Sequence, residues 1–443
     1  MARFLFAVLP LAGHLAPNLA VAQALRQQGH QVLLYSGASV ADAAAARDLD
    51  FAPFIALDEE AIHGTIREIA IARAPWQLRR LWRQILIESI EAQLSDLAPL
   101  LDTWQPDVIV CDPLLWGPIV VLHEREPIPV AILSYVAACV LPGDDAPLLG
   151  LSLPAAQGGA MRLARRSVRW LIDQVATGVR REVNAIRQRF ALSPIPDSVT
   201  AYTGRLPLYL MPGSRDFDYA RQDLPASVHY VGLLEWQSGP PPAPPAWLQA
   251  YQKERPLVYV TEGSVHSRQP HLLQAAVNGL GELPIDLILT TGRHRHVGEL
   301  SLGPIPANVR VESWVPHRAL FPHVDVVVTT GGSGTVLGAL AENIPLVVSP
   351  TDWDQPENAW RVAAAGAGIR IAASRCTGSR LRAAVEALLT DASYRRAAQH
   401  LGESLRKADG AFEAAHLLAQ LANGGQAAPS GAMVEDAYQE TLS

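Results

Sequence analysis

The feature that most restricts this fold is a glycine turn between a buried strand and a helix. Val324 to Thr329 is a short, mostly β-branched run that closes on Thr329 and Thr330. Thr330 to Gly334 holds three glycines in four residues, Gly331, Gly332 and Gly334. Such a run predicts a turn with φ > 0 and close backbone approach. Thr335 to Glu342 then carries apolar residues at helical spacing, with Asn343 to close the helix and Pro345 to forbid its continuation. Leu346 to Ser349 is the next buried strand. A strand, crossover helix and strand imply a parallel sheet. The first turn of the helix presents unpaired N–H groups at the positive end of a helix dipole, a site for phosphate. Any α/β protein has glycine turns before helices, so the glycines alone do not assign a function.

The rest of the chain repeats this cycle. Phe4–Leu9 is expected as a strand, Pro10 to Ala16 as a loop, Pro17 to Gln28 as a helix ended by Gly29, and Gln31 to Ser36 as the second strand. Asp107 to Asp112 and Val130 to Leu133 are further strands. Residues 53–100 hold helices rich in tryptophan and leucine. Residues 239–245 read Gly-Pro-Pro-Pro-Ala-Pro-Pro, a stiff linker. Beyond it come strands at Leu257 to Thr261, Leu287 to Thr291 and Val309 to Glu312, with a helix at His271 to Leu280. The expected division is 1–238, the linker 239–245, 246–422, and a disordered tail at 423–443. A chain of 443 residues fits two α/β domains facing a cleft.

The formal charge of −7 with no basic block argues against nucleic acid as a partner. A negative chain that binds a diphosphate must do so with local donors. Three cysteines, none in a CxxC pair, favour a reducing cytoplasm over a disulfide framework or a zinc site. The apolar run Phe4 to Ala12 has one preceding arginine and continues into a helix, so it reads as a first strand rather than a secretory signal. No run is long enough to span a bilayer.

Around the glycine turn lie Trp314-Val315-Pro316-His317 before it and Trp353-Asp354-Gln355 after it. An aromatic plate, an anion cradle and a hydroxyl-reading carboxylate and amide thus fall in successive loops, which share one crevice at the carboxyl ends of parallel strands. This pattern resembles the nucleotide-sugar signature of the inverting family 1 glycosyltransferases, the group of plant natural-product glucosyltransferases and bacterial macrolide glycosyltransferases. The resemblance runs from about Phe4 to about Ala422 and is strongest between Val309 and Ile371. It implies the GT-B architecture of two Rossmann-like domains, the first binding a small lipophilic acceptor and the second a nucleotide sugar.

Carried over residue by residue, the resemblance gives each motif a role. Gly13-His14-Leu15-Ala16-Pro17 matches the family's Gly-His-x-x-Pro, so His14 is the expected general base, taking a proton from the acceptor hydroxyl. An imidazole near its unperturbed pKa of ~6.5 suits that task. Asp112, at a strand end, is its expected partner, fixing the tautomer and stabilising the cation. The bland alternatives are a satisfied loop histidine and an Asp-Pro turn that starts a helix. Donor contacts fall on Gly13, on Gly263 and Ser264, and on Trp314, Val315 and His317. They continue through Thr330, Gly331, Gly332, Ser333, Gly334 and Thr335 to Trp353, Asp354 and Gln355. Trp314 would stack on the base; its alternative is a core aromatic. Asp354 and Gln355 would read sugar hydroxyls, although Asp354 also suits a helix N-cap. Apolar stretches around Trp76, Trp82, Trp116, Tyr135 and 148–153 point to the acceptor site.

Three departures from the family pattern stand out. His317 replaces the usual glutamine, Thr330 the usual diphosphate-contacting histidine, and Gly338 the ribose-binding glutamate of the plant branch. A threonine hydroxyl offers one neutral hydrogen bond where a charged one would be roughly twice as strong. The cluster at 293–296, Arg-His-Arg-His, could supply positive charge or be a solvated loop. With no acidic cluster at metal-ligand spacing, the expected cofactor is none: a nucleotide sugar as co-substrate, no metal, and a monomer or weak dimer. A non-catalytic relative that keeps the fold is the alternative function, favoured by Thr330 and opposed by His14 with Asp112. A nicotinamide oxidoreductase wants Gly-x-Gly-x-x-Gly after the first strand, and only Gly13 is there.

Overall fold

The computed structural model describes residues 1–72, 74–137, 141–143, 159–234, 244–263, 270–292, 300 and 302–424. Ser264, the linker residues 239–243, the cluster at 293–296, the stretch 148–153 and the tail from 425 lie outside the described residues.

Two fully parallel sheets form the molecule. The first is built from β1 (Arg3–Ala7), β2 (Gln31–Ser36), β3 (Asp50–Pro53), β4 (Val108–Cys111), β5 (Val130–Leu133), β6 (Leu208–Met211) and β7 (Val228–Tyr230), in the order β3-β2-β1-β4-β5-β6-β7. The second holds β8 (Leu257–Thr261), β9 (Asp286–Thr290), β10 (Val309–Glu312), β11 (Val326–Thr329), β12 (Leu346–Val348) and β13 (Gly368–Arg370), in the order β10-β9-β8-β11-β12-β13. Parallel sheets are covered on both faces, so their strands read as continuous apolar runs. Along β1, Leu5 and Ala7 enter one core and Phe4 and Phe6 the opposite one. Along β8, Leu257 and Tyr259 divide in the same way from Val258 and Val260.

Strand order reverses once in each sheet, between β1 and β4 and between β8 and β11. At these switch points the loops leaving the two central strands diverge and open a crevice. Ala7 pairs with Cys111 at the end of the first, and Thr261 with Thr329 at the end of the second.

Three details depart from the sequence reading. The first helix begins at Ala12, not Pro17, and carries Pro17 inside it. The N–H that proline lacks would have met the carbonyl of Gly13, which lies exposed to solvent in the first turn. β3, β6, β7 and β13 were not foreseen. The last helix, Gly410–Ala422, packs on the first domain: Ala411, Ala414, Ala415, Leu417 and Leu418 share a core with Phe4, Leu19 and Leu25. By packing, the second domain ends before residue 410. A Cβ at Gly410 would stand 2.4 Å from the Leu233 carbonyl, and one at Gly232 2.9 Å from that of Leu405. The two strands of chain that pass between the domains therefore run side by side.

Candidate active site

The first switch point holds His14 and Asp112. His14 lies in the first turn of its helix, directly after β1, and Asp112 directly after β4. Imidazole Nδ1 and carboxylate Oδ2 are 2.6 Å apart. Asp112 is fully buried, His14 6 % exposed. The carboxylate also accepts from the backbone N–H of Leu114 at 2.9 Å and, more weakly, of Leu9 at 3.4 Å. A buried carboxylate held by backbone donors is a fixed acceptor, so it sets the proton of His14 on Nδ1 and leaves Nε2 as the basic nitrogen. Among the described residues Nε2 has no hydrogen-bond partner. Tyr135, after β5, stacks on the imidazole with centroids 3.5 Å apart. Burial pushes the Tyr135 phenol well above its ordinary pKa, and the carboxylates of Asp112 and Asp354 add to the rise. Tyr135 thus lies where the two domains' acidic groups converge.

The second switch point holds the glycine turn. Gly331 has φ +101°, and a Cβ there would stand 2.6 Å from a methyl of Val348, so only glycine fits. Among the described residues, a Cβ at Gly332 or Gly334 would meet nothing within 4 Å. The backbone is therefore bare toward open space where the helix Ser333–Ala341 begins. That helix has Gly332 as its N-cap and no side chain capping it. Its first intrahelical bond runs from Val336 N–H to the Gly332 carbonyl at 3.0 Å, so the amides of Ser333, Gly334 and Thr335 precede the ladder. Asn343, at φ +61°, closes the other end.

Thr330 is 5 % exposed, and its hydroxyl donates to the Glu262 carbonyl at 3.2 Å. This bond ties the loop after β11 to the loop after β8, where Gly263 adopts φ +77°. Trp314 is 39 % exposed, which rules out a core aromatic there, while the neighbouring Val315 is fully buried. His317 is packed on Phe321, with centroids 4.4 Å apart, and its Nε2 meets Tyr259 OH at 3.2 Å. Burial lowers its pKa from 6.5 to about 4, so it is neutral at neutral pH.

The loop after β12 is held by hydrogen bonds that reach both domains, the first through Ser333. Asp354 Oδ2 accepts from Ser333 Oγ at 2.5 Å and from Asn358 Nδ2 at 2.9 Å. Ser333 Oγ in turn accepts the backbone N–H of Ala137, in the first domain, at 2.8 Å. Gln355 opens the helix Gln355–Ala364, and its Oε1 accepts from Thr351 N–H and Oγ1 at 3.0 and 2.8 Å. Burial raises the pKa of Asp354, opposed by these hydrogen bonds. Trp353 adopts φ +62°. A non-glycine residue there costs roughly 1–2 kcal/mol. Its ring meets Trp82 of the first domain edge-on, with centroids 5.3 Å apart. Of the other aromatic candidates, Trp76 is 74 % exposed, and Trp116, at 9 %, is a core residue of the first domain.

Sequence reasoning missed the cross-domain contacts. Besides Ala137 with Ser333, Arg361 Nε donates to Asp218 Oδ1 at 2.8 Å with both side chains buried, and Tyr230 OH donates to the same carboxylate at 2.7 Å. Phe217, beside it, lies in the second domain's core. A buried arginine in an amphipathic helix was the available signal; its partner lies 143 residues away. Two concavities of about 470 and 230 Å³, beside Glu59 and beside Arg221, contain none of these site residues.

Comparison with known proteins agrees with this geometry. Residues 275–420 match the family described as erythromycin biosynthesis protein CIII-like, C-terminal domain. The chain is 34 % identical over 424 residues to 4'-demethylrebeccamycin synthase of Lentzea aerocolonigenes, covering 94 % of this chain and 99 % of that protein. It is 26 % identical to demethyllactenocin mycarosyltransferase of Streptomyces fradiae, covering 94 % of this chain and 86 % of that one. The fold is shared with the glycosyltransferase of kitacinnamycin, at a TM-score of 0.72 and 23 % identity over 95 % of this chain and 98 % of that one. It is shared too with the glycosyltransferase VinC in complex with dTDP, at a TM-score of 0.66 and 21 % identity over 96 % of this chain and all of that one. With two Rossmann-like sheets and a relative matched along nearly its whole length, the chain belongs to the family 1 glycosyltransferases of GT-B architecture.

Proposed function

We propose that this protein transfers a hexose, with inversion, from a nucleotide diphosphate sugar to a hydroxyl of a small lipophilic acceptor. The observation that carries the reading is the His14–Asp112 pair at 2.6 Å on the first switch point, with an open glycine turn at the other. Nε2 of His14 accepts the acceptor's proton as its oxygen attacks the anomeric carbon. Asp112 stabilises the resulting imidazolium through Nδ1–H. A single displacement from the face opposite the diphosphate inverts the anomeric centre. The departing diphosphate meets the amides of Ser333, Gly334 and Thr335 and the positive end of their helix. Trp314, 39 % exposed, stacks on the base. The donor is a UDP- or dTDP-sugar.

A mass-spectrometric screen of pooled phenols and macrolides against several UDP- and dTDP-sugars tests this, and a folded protein that transfers no sugar contradicts it. The amides at the glycine turn meet the leaving-group charge in place of an ion, so activity is expected to survive exhaustive chelation. An enzyme silenced by chelator and restored by magnesium or manganese would make Asp352 and Asp354 metal ligands instead.

A second reading, a non-catalytic binding protein of the same fold, is favoured by the engagement of Thr330 and Gln355 within the protein. It predicts nucleotide binding without turnover in the same screen.

A further inference from the structure

Trp353 stands in the loop read above as contacting the sugar, yet its indole packs against the core of the other domain. It meets Trp82, in the helix Pro75–Arg83, edge to face at 5.3 Å. Its backbone is left-handed at φ +62°, a conformation that bulky residues adopt only when surroundings over-determine it. Its Nε1 is buried with no hydrogen-bond partner among the described residues. A strained backbone and an unpaired buried donor are both unfavourable, and the ring's packing is what holds them. The next residue is Asp354, whose carboxylate reaches Ser333, and Ser333 accepts from Ala137 of the first domain. The loop after β12 is therefore fastened to the acceptor domain twice, at Trp353 and through Ser333.

We infer that Trp353 is a positioning residue: its indole, docked on Trp82, lets the acceptor domain set the placement of the sugar-reading loop. This rests on the glycosyl-transfer reading. The diphosphate cradle at Gly332 to Thr335 belongs to a different loop, and its donors are backbone amides at a helix start. Disrupting the pair should then weaken recognition of the sugar while leaving recognition of the nucleoside diphosphate intact. A merely structural tryptophan would not split the two.

The experiment compares Trp82→Ala, Trp82→Phe, Trp353→Asn and the Trp82→Ala/Trp353→Asn double variant with the parent. Asparagine tolerates the left-handed backbone, so Trp353→Asn removes the ring without adding strain. Calorimetry without acceptor gives the affinities for UDP, dTDP, UDP-glucose and dTDP-glucose. For the nucleotide that binds, the sugar-to-diphosphate affinity ratio should fall about tenfold in Trp82→Ala and in Trp353→Asn, recover in Trp82→Phe, and fall no further in the double variant. With acceptor, kcat/KM should fall ~10²-fold, as expected when a reacting group is displaced by about 1 Å. A ratio unchanged in a folded Trp82→Ala, or losses that multiply in the double variant, overturns the positioning role alone. A parent protein that binds none of the four ligands overturns the glycosyl-transfer reading and this inference with it.

Discussion

The two switch points are built by the same topology and are left in different states. At the first, His14 and Asp112 already have the hydrogen bond that a general base needs, and Nε2 is uncommitted among the described residues. At the second, the glycine turn is open, but the polar side chains around it bond to the protein: Thr330 to Glu262, Asp354 to Ser333 and Asn358, Gln355 to Thr351. The difference follows from where each group sits. Asp112 is buried at the end of a central strand, where an unbonded carboxylate is costly, so its partners are fixed on folding. Asp354 and Gln355 lie at a helix start beside a loop, where local hydrogen bonds are always within reach. The base side is preorganised. On the proposed reading, the donor side has its backbone amides ready, while its side chains would exchange protein partners for ligand.

Removing the base tests the preorganised half. His14→Ala should cut turnover on an alcohol acceptor by ~10²–10⁴ with donor affinity little changed. Asp112→Asn should lose a comparable factor by presenting the wrong tautomer. Steady-state kinetics with near-normal transfer in either variant would leave the first switch point without a catalytic role.

Next in size is the clamp that holds the halves in register. Arg361→Met takes the cation from the buried carboxylates of Asp218 and Glu357, which costs about 3–5 kcal/mol, while Asp218→Asn leaves Arg361 beside Glu357 and should cost less. Urea denaturation should show it. If instead the variants keep full stability, contacts such as Ala137 with Ser333 carry the interface.

The donor side should also respond to acid. The folded pKa of His317, about 4, lies below the 6.5 of an unperturbed histidine. Between those values the unfolded chain binds a proton that the folded chain refuses, so stability falls as pH drops from 6.5 toward 4. By pH 4 this amounts to on the order of 3 kcal/mol. His317→Gln, which cannot titrate, should flatten that slope in denaturation curves taken at pH 7 and pH 4.5. An unchanged slope would assign the acid sensitivity to other groups.

The smallest expected effect separates amides from side chains at the cradle. An added methyl at Gly334 meets nothing within 4 Å among the described residues. Gly334→Ala should therefore leave thermal stability unchanged yet weaken nucleoside diphosphate binding roughly tenfold, about 1.4 kcal/mol. Thr330→Val, which removes a hydroxyl engaged with Glu262, should change that affinity less. Calorimetry giving the reverse order would move the diphosphate toward Thr330.

What was legible in the sequence was local. The strand ends, the glycine turn and Gly-His-x-x-Pro could be read because each is a short pattern with its own backbone chemistry. Strands β6 and β7 were not read, because Leu208–Met211 and Val228–Tyr230 are only 4 and 3 residues long, too short to show a period of their own. The engagement of Thr330 and Gln355 was also hidden: residue type says what a side chain can bond, not which neighbour reaches it first. The start of the first helix was misplaced because Pro17 looks like a first-turn proline, yet the helix begins five residues earlier.

The return of the helix Gly410–Ala422 to the first domain makes the second domain an insertion within the first. The acceptor half is closed by residues about 400 positions from its first strand. During synthesis it must wait, its Phe4–Leu25 core uncovered, until the donor half has been made. Contacts this distant in sequence slow folding and prolong the exposure of apolar surface. Completion of the first domain's core is thus coupled to synthesis of the second.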